Sequence, residues 1–189
     1  LALKNINLKI KCNEKIGIVG TTGSGKTTLI DIILGLLHSK EGKLKVDGTI
    51  INNTNRAQWQ KNIGYVPQQI FLIDDTISKN IAFGLTNENI DQENVERVAK
   101  TANLHNFILN DLPNGYQTKV GELGIRLSGG QKQRIGIARA LYHKPKLIIM
   151  DEATSALDNL TEQEVIDAMN IINKNITTIT IAHRLSTVK

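Results

Sequence analysis

The chain has 189 residues with 23 Lys and Arg against 18 Asp and Glu, a formal net charge of +5, which is one compact domain's worth of sequence. Its 40% hydrophobic and 22% charged residues form a globular balance that excludes disordered, collagen-like and coiled-coil fibre classes. The longest apolar patches, residues 29–37 and 147–150, stop far short of the ~20 residues a bilayer-spanning helix needs, so the chain is not expected to cross a membrane itself.

Residues 3–10 and 43–51 alternate between apolar and polar, and Asp47-Gly48 is a hairpin dipeptide, so both are predicted in a small antiparallel flank. Residues 16–19, 63–66, 147–150 and 177–181 are short apolar runs without clear alternation, as strands of a parallel sheet covered on both faces are. Helical periodicity fills residues 26–37, with Leu29, Ile30, Ile33, Leu34 and Leu37 on one face, and residues 131–142. It returns after Thr161, where Thr161 and Glu164 have capping-box spacing. From residue 77 to about 109 the pattern is again helical, with Asp91 an N-cap and Pro113-Asn114-Gly115 a closing turn. Strands alternating with helices give an α/β fold with a mostly parallel central sheet. The expected division is an α/β core from residues 1–75 and 145–189 with a β flank, and a helical subdomain inserted at about 76–144. The single cysteine, Cys12, can build neither an internal disulfide nor a multi-cysteine zinc site and points to a reducing compartment. A first residue Leu1 with no basic-then-apolar leader gives the expectation of a piece excised from something longer.

Gly20-Thr21-Thr22-Gly23-Ser24-Gly25-Lys26-Thr27 fits G-x-x-x-x-G-K-[ST] between a predicted strand and a predicted helix. Glycines let backbone N–H groups curl around phosphate oxygens, Lys26 reaches the β- and γ-phosphates, and Thr27 offers its hydroxyl to Mg²⁺. The apolar run 147–150 ends in Asp151 and Glu152. Beside a phosphate loop, Asp151 serves Mg²⁺ and Glu152 polarises the attacking water; alone, such a pair reads as a solvated helix start. Leu127-Ser128-Gly129-Gly130-Gln131 opens another helix and is a second anion-binding turn.

These motifs, with Lys132-Gln133-Arg134, Ser155-Ala156-Leu157-Asp158 and Ile181-Ala182-His183-Arg184, stand in the order and spacing of the nucleotide-binding domain of ABC transporters, a P-loop NTPase that the chain closely resembles over almost its whole length. The resemblance implies ATP and Mg²⁺ as cofactors, with Thr22, Gly23, Ser24, Gly25, Lys26, Thr27 and Thr28 holding the phosphates. Val66-Pro67-Gln68 is similar to the family's glutamine loop, where Gln68 touches Mg²⁺ and the attacking water. His183 matches the switch histidine that contacts the γ-phosphate, and Asp158 works across a dimer interface. Ser128, Gly129, Gly130 and Gln131 grip the ATP held by a second copy, so that two domains pack head to tail with ATP between them. Residues 118–124 and 76–81 resemble exporter-type members, which implies a transmembrane domain as partner and a place at the cytoplasmic face of the inner membrane.

Three features depart from the family. No aromatic residue precedes Trp59 to stack on adenine, so that residue is absent or, as expected here, lies before Leu1. The chain stops at Lys189 where the family continues with further strands, which gives the expectation of a domain trimmed at both ends. Leu123 stands where many exporters carry arginine. The rivals are a soluble ABC-type ATPase acting on nucleic acid or ribosomes, which the basic balance motivates, and a small-molecule P-loop kinase, which leaves the Ser128 turn unexplained. No nucleic acid is expected, because Lys132, Arg134, Arg139, His143, Lys144 and Lys146 fall on different helix faces with only Tyr142 among them.

Overall fold

The computed structural model describes residues 3–122, 125–151 and 176–182. They fall into two compact units, residues 3–65, 145–151 and 176–182 in the first and residues 66–122 and 125–144 in the second.

The first unit is built on parallel strands. β1 (Lys15–Val19) leads into α1 (Lys26–Ile33); β2 (Lys45–Val46) and β3 (Thr49–Ile50) form a hairpin; α2 (Arg56–Gln60) precedes β4 (Ile63–Val66). The four-stranded sheet runs β1-β8-β7-β4, with β7 (Leu147–Asp151) and β8 (Thr177–Ala182) in its middle. β8 is parallel to both neighbours, pairing Val19 with Ala182 and Asp151 with Ile181. Ile30, Ile33 and Leu34 close over Leu147, Ile149, Ile179 and Ile181 as the apolar core of this unit. Burying such side chains contributes about 1.5–3 kcal/mol each before chain entropy is set against it.

Three local outcomes differ from expectation. The sheet residues of β7 are buried on both faces, but β1 ends the row among the described residues, with Ile16 and Ile18 half-buried and Lys15, Gly17 and Val19 exposed. An edge strand has one neighbour fewer to cover it. α1 stops at Ile33, four residues before the apolar periodicity does. Gly35 takes φ 70°, the Leu36 N–H bonds Asp31 O at 2.8 Å and the Gly35 N–H bonds Ile32 O at 3.0 Å. This is a Schellman stop, and it leaves Leu36 and Leu37 exposed beyond the helix. Residues 3–10 form no strand; Asn5, at φ 52°, interrupts the extended run. The hairpin at 45–50 does form, with Asp47 and Gly48 both at positive φ as a two-residue type I′ turn requires.

The second unit is largely helical: α3 (Ile77–Ile81), α4 (Gln92–Thr101), α5 (His105–Asp111) and α6 (Gly129–Tyr142), with a short ladder between β5 (Asp75–Thr76) and β6 (Lys119–Val120). Asp91 caps α4 by accepting from the Asn94 N–H at 3.0 Å, as its sequence position predicts. Buried α6 holds the segment that follows β4. Arg139 donates to Asn80 O at 2.8 Å and to Phe71 O at 3.0 Å, with its guanidinium 4.8 Å from the Phe83 ring centroid. At Gly136 a Cβ would run into Ile70 Cδ1, so a larger residue there would have to displace the Ile70 side chain. Tyr116 is buried against His105, whose Nδ1 lies 2.8 Å from the phenol oxygen. Among the described residues no helix is long and apolar enough to cross a membrane.

Candidate nucleotide-binding site

β1 delivers the chain into a tight loop at residues 20–25, and α1 starts at Lys26. Gly23 and Gly25 sit at φ 81° and 90°, conformations strained for any residue with a side chain. The Ser24 N–H bonds Thr21 O at 3.2 Å to close the turn. At Gly20 a Cβ would stand 2.7 Å from Ser24 Oγ, so any larger residue there would have to turn the Ser24 hydroxyl aside. Lys26 curls back over this loop: its Nζ donates to Gly20 O at 2.6 Å and to Thr21 O at 2.9 Å. An ammonium has three donors, which leaves one for an anion. Thr22, Gly23, Ser24 and Thr27 are exposed, while Thr28 is half-buried in the first turn of α1. The N–H groups of that turn have no intrahelical carbonyl and carry the positive end of the helix dipole.

Asp151 is the last residue of β7 and half-buried. Because β1, β8 and β7 run the same way in this register, the loop leaving Val19 and the Asp151 carboxylate issue from one edge of the sheet, the carboxyl edge where open α/β sheets bind ligands. Beside β7, Tyr65 of β4 sets its phenol close enough to Asp151 to feel that carboxylate's charge. Burial first, then the charges of Asp151 and Asp31, push the Tyr65 phenol above its ordinary range, so it stays a protonated donor. Sequence reasoning passed over Tyr65. The available signal was its phenol, the one hydrogen-bonding side chain in β4.

In the second unit Gln68 lies in the bend that follows β4. Ser128 is the N-cap of α6, with Ser128 Oγ accepting from the Gln131 N–H at 3.2 Å and Gln131 Oε1 accepting from the Ser128 N–H at 2.8 Å. This capping box fixes the turn and leaves the Ser128 hydroxyl hydrogen available to donate. Gly129 is exposed and Gly130 half-buried beside it. Glu152, Asp158, His183 and Leu123 lie outside the described residues, as does the helix expected after Thr161. Thr22–Thr28 and Asp151 are thus brought to one sheet edge, and Ser128–Gln131 to one helix start.

The loop fits a phosphate chain: two glycines in left-handed conformations, a glycine approached by Ser24 Oγ and an ammonium folded over the turn are what close backbone approach to an anion needs. The exposed Thr27 hydroxyl and the Asp151 carboxylate are hard oxygen donors. Together they suit a Mg²⁺ ion that keeps waters and takes phosphate oxygens as further ligands. Among the described residues no three His, Cys, Asp or Glu side chains gather as a metal-binding group.

Residues 3–155 match the family described as ABC transporter. An ATP-dependent lipid A-core flippase of Saccharophagus degradans is 45% identical over 188 residues, which is 100% of this chain and 32% of the flippase. ATP-binding cassette sub-family B member 5 of Homo sapiens is 44% identical over 187 residues, 99% of this chain and 15% of the human protein. Among solved structures, a bacterial Atm1-family ABC exporter with ATP bound matches at a TM-score of 0.86 and 41% identity, covering 94% of this chain and 30% of that one. The chain spans about a third of the flippase and less of the human protein. The phosphate loop, the carboxylate strand end and the serine-capped signature helix carry the same conclusion as these matches: this chain belongs to the ABC transporter family.

Proposed function

We propose that the chain is the ATP-binding and ATP-hydrolysing domain of an ABC exporter or flippase, powering transport through a transmembrane domain at the cytoplasmic face of the membrane. The observation that carries this reading is the pair of anion-binding helix starts, Gly25–Thr28 at α1 and Ser128–Gln131 at α6. One triphosphate is gripped from both sides when two copies pack head to tail, the first turn from one copy and the second from the other. The exporter with ATP bound and the ATP-dependent flippase are the relatives that support it. In this reading residues 1–75 and 145–189 form the catalytic core, and about 76–144 the helical part that meets the membrane domain.

Each residue then has a task. Lys26 turns its remaining donor to the β- and γ-phosphates while its bonds to Gly20 O and Thr21 O keep the loop closed. Thr27 and Asp151, with Gln68, hold Mg²⁺, which when bound neutralises phosphate charge. Glu152 takes a proton from the attacking water, and His183 and Gln68 orient it. Ser128 donates its hydroxyl hydrogen, and Gly129 and Gly130 their N–H groups, to the phosphate held by the other copy. The test is Glu152→Gln in the full-length, membrane-embedded protein. ATP binding is expected to persist while hydrolysis falls about 10²- to 10⁴-fold, the share of a general base; near-normal hydrolysis in that variant rejects the assignment.

A further inference from the structure

Tyr65 is the third of four residues in β4, whose others, Ile63, Gly64 and Val66, carry no hydrogen-bonding side chain. Its ring packs against the apolar cluster that includes Ile149 and Ile179, and Ile149 is two residues before Asp151, hence on the same face of the neighbouring β7. The phenol is close enough to that carboxylate to feel its charge. A phenol at neutral pH can donate and a carboxylate only accepts, so in this pair the donor is Tyr65 and the acceptor Asp151. The two strands are locked at their opposite ends as well: Asn62 O, just before β4, accepts from the N–H groups of Lys146 at 2.8 Å and Leu147 at 3.1 Å.

We propose that Tyr65 is a positioning residue: its ring is anchored in the core, and its hydroxyl holds the Asp151 carboxylate in the orientation that serves the nucleotide's cation. Packing alone asks only for an apolar residue of similar bulk at this place, so the hydroxyl is what the site uses. Outer-shell hydrogen bonds of this kind fix ligand orientation and raise metal affinity. The proposal rests on the reading above that Asp151 serves the cation.

The test uses the full-length protein with Mn²⁺ as probe, titrated by electron paramagnetic resonance in the presence of a non-hydrolysable ATP analogue. Tyr65→Phe is expected to weaken Mn²⁺ binding about 10-fold. Affinity for the analogue in excess chelator, without metal, is expected to stay within about 2-fold, because the ring and the Lys26 loop are untouched. Tyr65→Leu, which removes ring and hydroxyl together, is expected to lose at least as much Mn²⁺ affinity as Tyr65→Phe. Tyr65→Phe binding Mn²⁺ as the wild type does overturns the proposal, and so does an equal loss with and without metal, which marks a packing role. Wild type that binds the analogue but no Mn²⁺ with it overturns the Asp151 assignment and this proposal together; a wild type that binds Mn²⁺ confines any failure to Tyr65.

Discussion

Lys26 spends two of its three donors on the carbonyls of Gly20 and Thr21 at 2.6 and 2.9 Å, so it supports its own loop as well as awaiting an anion. Removing it loses a charge-assisted contact to phosphate, which contributes roughly 1.5–3 kcal/mol. Lys26→Ala is therefore expected to weaken ATP binding by about 10- to 150-fold in a calorimetric titration of the full-length protein. Affinity within about 2-fold of wild type would mean that the ammonium does not face the phosphates. The phosphate loop was legible residue by residue because each glycine there answers a backbone demand that other residues meet poorly. Tyr65 was not, since nothing along one strand tells which side chain of a neighbouring strand it will meet; its partner Asp151 is far away in sequence and near only once the sheet forms.

At the scale of elements, helix starts read well and helix ends less so. Asp91 and Ser128 announce α4 and α6 through side chains that accept the N3 amide. The end of α1 was overrun because Leu34 and Leu37 continue the apolar spacing, although Gly35 between them supplies the left-handed stop. The strand expected at 3–10 failed for a related reason: alternation is necessary for a half-buried strand, but a ladder also needs a partner, and no named strand lies there. For α6, the capping box gives a direct prediction. Ser128→Ala removes an N-cap worth about 1 kcal/mol, so the Gln131 amide is expected to exchange its hydrogen about 5-fold faster. Ser128→Asn, which keeps an accepting oxygen at the cap, is expected to restore most of that protection while remaining defective in hydrolysis. Unchanged exchange in Ser128→Ala would show that the cap does not hold the turn.

The whole molecule poses the larger question, because both anion-binding turns are present on one chain and the relatives are three or more times its length. Fold class and family were legible from the order of motifs, since a phosphate loop, a serine-capped turn and a carboxylate strand end are hard to arrange in one chain for another purpose. Cargo was not, because under the proposed function every residue with a task here faces the nucleotide. The central claim is that a single triphosphate is clasped by the Lys26 loop of one copy and the Ser128 turn of another. It is tested most directly by a structure of the full-length Glu152→Gln protein with ATP and Mg²⁺. The account predicts each γ-phosphate within hydrogen-bonding distance of Lys26 Nζ on one side and of the Ser128 hydroxyl of a second copy on the other. A γ-phosphate bound by Lys26 while every Ser128 turn faces solvent would contradict it.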